Sequence, residues 1–162
     1  MAVDFTIIQA GRQRFGDATP DRTEALVETE APFVGKSKDF PFSCPNVLSG
    51  EWAVLNFQSC GATAQADFGL GNTNVLQING IDIPGGITRG PAVTGAATQE
   101  IPLWTTHSLL VRPNVLKEEN VLHIESVRIP QAACLDNFII DNIVLFFKAG
   151  PPKDSKTLRA QI

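Results

Sequence analysis

Between Phe5 and Phe147 the apolar residues fall into short, mostly alternating runs separated by turn residues. A pattern with a period of two buries one face only when the chain is extended, so the order of residues points to β-structure before anything else is known. Runs of this kind occupy 4–9, 24–33, 52–60, 73–83, 103–111, 121–128 and 138–148, with turn-rich pieces at 16–20, 35–48, 69–72, 84–86 and 112–120. Thr19-Pro20 would also serve as the start of a short helix over 24–30, but a strand fits the pattern better. The stretch from Phe138 to Phe147 is apolar on both sides apart from Asp141 and Asn142, which predicts a central strand covered on both faces. Antiparallel strands closing two layers face to face, an all-β sandwich, follow from these runs.

Size and charge narrow the classes of function. A chain of 162 residues suits one domain, expected over 1–148 and followed by a basic, Pro-containing flexible tail at 149–162. Apolar residues at 43% and charged residues at 19% describe an ordinary globular protein. The net charge of −4 offers no basic surface to a phosphate backbone, so nucleic acid is not an expected partner. No apolar run approaches the roughly 20 residues that span a bilayer, and no signal peptide precedes the first strand; both predict a soluble, cytoplasmic protein without a membrane partner. Cys44, Cys60 and Cys134 are odd in number and form no CxxC, which fits reduced, buried thiols, with one disulfide plus a free thiol as the alternative.

Asn74 to Ile83 with its Asn79-Gly80 turn, Leu110 to Ile124 with the polar corner Lys117-Glu118-Glu119-Asn120, and Asp136-Asn137-Phe138-Ile139-Ile140-Asp141-Asn142-Ile143-Val144-Leu145 follow one another in the chain. Together these three segments resemble the second half of a galactose-binding-domain-like jelly roll. The resemblance covers about residues 48–148 and departs from the family pattern at Glu119, where members usually carry Gly. Each motif has its own physical sense. Asn-Gly tolerates the positive φ of a two-residue hairpin, and Leu116 and Leu122 can anchor a crossing from one sheet to the other. The resemblance implies a non-catalytic, lectin-like module that binds carbohydrate with the loops at one end of the sandwich. A structural calcium ion is also implied by related sandwiches, with Asp67, Asp82, Asp136 and Asp141 as available carboxylates, although no ligand loop arranges them and no other cofactor is expected.

Sugar recognition needs an aromatic platform and a few hydrogen-bonding side chains. Tyr is absent and Trp numbers two. Trp104 stands next to the long Gly/Thr-rich loop at 84–99, with Arg89 in the loop and His107 nearby, so Arg89, Trp104 and His107 are the candidate ligand-binding residues. The alternative for Trp104 is the edge of the core, and Trp52 is expected in the core itself. No catalytic residue and no zinc site is predicted: His107 and His123 are far apart, Cys60 and Cys134 read as small buried hydrophobes, and Glu51 and Glu125 as surface groups. Two other classes of function stand beside ligand binding. One is a structural protein of an oligomeric particle such as a virion, built on homo-oligomeric contacts; the other is a small enzyme on a jelly-roll scaffold.

Overall fold

The computed structural model describes residues 2–19, 31–64, 73–94, 100–129 and 134–152, and among these the chain is all β with no helix. In chain order the strands are β1 (Ala2–Gln9), β2 (Gln13–Phe15), β3 (Phe33–Gly35), β4 (Ser37–Ser43), β5 (Ala53–Cys60), β6 (Val75–Ile78), β7 (Ile81–Asp82), β8 (Ala92–Thr94), β9 (Glu100–Pro102), β10 (Thr105–Val111), β11 (Glu119–Glu125), β12 (Arg128–Ile129), β13 (Cys134–Leu135) and β14 (Phe138–Ala149). Six form one sheet in the order β10-β5-β14-β2-β3, with β1 continuing the β2 side of β14. Four form a second sheet in the order β4-β11-β6-β7, and β8–β9 and β12–β13 are two-stranded ribbons.

Alternation puts one row of β4, β5, β6, β10, β11 and β14 into a shared interior. Leu55 and Phe57 of β5, Val111 of β10 and Phe138, Ile140, Ile143, Leu145 and Phe147 of β14 enter one hydrophobic cluster with Phe40 and Phe42 of β4, Leu76 and Ile78 of β6, and Leu122 and Ile124 of β11. The two larger sheets therefore bury their apolar rows against a common core. In β14 the inward row runs 138, 140, then 143, 145 and 147, a skip of three. Asn142 has φ 50° and the register with β5 shifts between Asp141 and Val144. This left-handed bulge resets the alternation and lets all five apolar side chains face inward.

The two sequence turns behave as their residues dictate. Asn79 (φ 54°) and Gly80 (φ 78°) join β6 to β7, both in the left-handed region that a tight hairpin requires. From β10 in one sheet the chain crosses to β11 in the other over Val115 and Leu116, both buried. Asn120 holds that corner: its Oδ1 accepts from Lys117 N–H at 2.9 Å and Asn79 Nδ2 at 2.9 Å, and its Nδ2 donates to the Lys117 carbonyl at 2.7 Å.

Several expectations change. The predicted turn region 35–48 contains β4, whose inward residues Phe40 and Phe42 are separated by Pro41. Pro is compatible with a strand at the edge of a sheet, which is where β4 lies. Trp52, expected in the core, is 52% exposed. β14 is central, with partners on both edges, and is covered on both faces at its start, where the outward Ile139 is fully buried in a cluster with Ala31, but not further along. Phe146 on its outward row is 38% exposed. Part of the loop at 84–99 is ordered as the β8–β9 hairpin. The alternatives for 24–30, the hairpin placed at 69–72 and most of the basic tail lie outside the described residues. Residue 149 is not tail: Ala149 pairs with Ala2, and Gly150 N–H donates to the Asn46 carbonyl at 2.8 Å. Among the described residues no helix is long and apolar enough to cross a membrane.

Candidate functional site

A cleft of about 930 Å³ opens beside the segment from Ile83 to Pro91, where β6, β7 and the following loop meet. Backbone hydrogen bonds shape this segment. Ile83 N–H donates to the Leu76 carbonyl at 3.0 Å and Gly86 N–H to the Ile83 carbonyl at 3.2 Å, while Ile87 pairs with Asn74 in an isolated bridge and buries its side chain completely. Gly85 has φ 95°, and a Cβ there would stand 2.8 Å from Leu109 Cδ2, so only glycine lets the loop lie this close to β10. At the far end Leu103 N–H reaches the Pro91 carbonyl at 3.0 Å. The loop is thus tied down at both ends, with Thr88 and Arg89 exposed between the ties.

The back wall of the cleft depends on a buried carboxylate. Asp136 is 0% exposed and accepts from Thr63 N–H (3.0 Å), Thr63 Oγ1 (2.7 Å), Ala64 N–H (3.0 Å) and Asn74 Nδ2 (2.6 Å). Asn74 Oδ1 in turn accepts from Val127 N–H at 3.1 Å. Ala64 and Asn74 line the cleft, so Asp136 positions two of its lining residues without entering it. These four donors engage both carboxylate oxygens of Asp136 within the chain and tie residues 63–64 to Asn74. Among the described residues no group of three or more His, Cys, Asp or Glu could hold a metal ion. Asp67, the remaining carboxylate considered for calcium beside Asp82 and Asp141, lies outside them.

Of the three residues singled out from sequence, one is in the lining of the cleft. Arg89 lines the cleft. Trp104 is 40% exposed but lies outside the cleft lining; the Arg12 guanidinium sits 5.1 Å over its ring, and Arg12 Nε meets Asp141 Oδ2 at 3.4 Å. His107 points into the interior of β10, stacked on Phe57 with ring centroids 4.5 Å apart and with Nε2 2.7 Å from Ser59 Oγ. Burial pushes the His107 pKa below its ordinary value, so the neutral imidazole is favoured. A Ser–His contact suggests nucleophilic chemistry, but Ser59 is itself buried and Phe57 covers the ring, leaving no approach for a substrate carbonyl. Asp82, Thr73 and Thr88, which sequence reasoning left aside as ligand contacts, share the cleft with Arg89.

The remaining chemically active groups are engaged elsewhere. His123 sits between Asp39 (2.6 Å) and Glu125 (3.4 Å), and Lys36 pairs with Glu125 at 2.7 Å. The Lys36 hydrogen bond is the main cause holding the Glu125 carboxyl below the usual range. None of the three cysteines forms a disulfide. Cys44 is fully buried, and burial, with Asp4 and Glu119 adding to it, pushes its thiol up to about 12; the thiolate that a nucleophile or redox sensor needs is suppressed. No protein-family model, curated protein or solved structure matches this chain.

Proposed function

We propose that the protein is a non-catalytic ligand-binding β-sandwich of the galactose-binding-like, jelly-roll kind, and that its cleft takes a small hydroxylated ligand, a carbohydrate in the first instance. The observation that carries this reading is the composition of the cleft wall. It combines a guanidinium (Arg89), a carboxylate (Asp82), two hydroxyls (Thr73, Thr88) and Gly86, whose α-carbon faces open space and whose backbone a ligand can approach closely. Vicinal hydroxyls both donate and accept, and this set offers both. Among the described lining residues Asp82 is the one carboxylate, so the acid and base pair that glycoside hydrolysis needs is missing and binding is the better description. Among the described lining residues there is no aromatic ring, which points to modest affinity, around the millimolar to high micromolar range.

Glycan-array screening followed by titration calorimetry tests the proposal. Binding should weaken at least about tenfold in Arg89→Ala and stay unchanged in Trp104→Ala. No signal across the array removes the carbohydrate reading, and loss of binding in Trp104→Ala with Arg89→Ala silent places the site elsewhere.

A further inference from the structure

The outward face of the six-stranded sheet carries an apolar surface that no described part of the chain covers. Register places Leu110 of β10 opposite Val54 of β5, Val54 opposite Phe146 of β14, and Phe146 opposite Phe5 of β1. Four adjacent strands thus present one continuous row about 14 Å wide. Phe5 and Phe146 are in ring contact at 6.2 Å. Val144 and Ile7 face each other in the next row, Val3 stands on the other side of Phe5, and Trp52 precedes Val54 by two residues. Exposure is high for isolated apolar groups: Val3 is 74% and Leu110 57% exposed, and Phe5, Ile7 and Trp52 each exceed half.

We propose that this face is the interface of a symmetric homodimer, in which a second copy of the chain packs sheet against sheet. The inference goes beyond the ligand-binding reading and does not depend on it. Area is the first support. Six large side chains at these exposures present on the order of 600 Å², at the upper end of what a monomer leaves in one patch and approaching the roughly 800 Å² per partner of a standard stable interface. Charge is the second. The ion pairs at the two ends of the face, Lys148–Glu51 at 2.6 Å and Arg12–Asp141 at 3.4 Å, are each neutralised within the chain, so an identical copy meets no net repulsion. An apolar face whose flanking charges are paired within the chain can meet a copy of itself, which is what two-fold pairing requires. The unpaired edge of β1 could extend the sheet with another strand, but such pairing would leave the outward side chains in water and does not account for them.

Sedimentation equilibrium on the full chain from about 1 to 300 µM tests the interface. The wild type should dimerise in that range. Leu110→Lys should raise the dimer dissociation constant at least about 100-fold and Leu110→Ser about tenfold, with far-UV circular dichroism unchanged; Leu110 points outward, and the serine variant keeps the test valid if a lysine perturbs folding. A wild type that is monomeric throughout overturns the proposal. So does a dimer that Leu110→Lys and Leu110→Ser leave intact, which would indicate edge pairing at β1, on the opposite side of the sheet from β10. Arg89→Ala should not change the dimer, so failure of the cleft reading and failure of the interface are separable.

Discussion

Asp136 and His107 show how single side chains carry the interior on opposite terms. Asp136 survives burial because every approach to it is a donor, whereas His107 survives by giving up its charge. The consequence for His107 has a definite sign. Its folded pKa lies below the ordinary 6.5, so the unfolded chain binds the extra proton first. Stability from this residue is fully present above pH 6.5 and erodes as pH falls from there toward the folded value. Urea midpoints measured at about pH 7.5 and 5.5 should therefore drop across the interval in the wild type, and His107→Gln, which keeps a hydrogen-bonding group for Ser59, should flatten the drop. Glu125 contributes in a separate window, losing its Lys36-dependent stabilisation only as pH falls below about 4.5. Neither environment was legible in the sequence. Asp136 stood in the sequence as one of four available carboxylates, and its donors come from residues 62 to 73 positions away in the chain; His107 looked available because nothing local marks which strand face is the core.

At the scale of elements, periodicity worked where the strands are long and failed where they are short or interrupted. The runs at 52–60, 103–111 and 138–148 emerge as β5, β10 and β14 within one or two residues. β2 and β3 have three residues each, too few to show a period, and β4 hides its period behind Pro41 and flanking polar residues. The bulge at Asn142 is the more instructive case. The motif Ile140-Asp141-Asn142-Ile143 breaks strict alternation, and what restores it is a left-handed residue that only Gly, Asn or Asp adopts cheaply. Asn142→Gly should be tolerated, while Asn142→Val, forced to φ 50° with a β-branched side chain, should cost about 1–3 kcal/mol in chemical denaturation. Equal stability of the two variants would mean that the bulge relaxes rather than holds. The candidate cleft was half legible: the glycine-rich loop signalled it and Arg89 lines it, but assigning Trp104 and His107 to the same place required knowing which way β10 turns its side chains.

For the whole molecule, the sheet order says more about assembly than about chemistry. β14 is the hub of the larger sheet, pairing with β5 on one side and with both β1 and β2 on the other, so segments from the beginning, middle and end of the described chain meet on it. The core row from Phe138 to Phe147 lies on that same strand. Removing residues 138–149 therefore deletes the partner of three strands at once. A chain ending at Asn137 should show no cooperative unfolding transition and strong binding of a hydrophobic dye, whereas retained cooperativity would mean that the remaining sheets stand alone. During synthesis the ribosome releases this keystone after everything that must dock on it. The earlier strands wait without their scaffold, and the nascent polypeptide is most exposed to chaperones and to unwanted self-adhesion in the seconds before its final dozen or so described residues emerge.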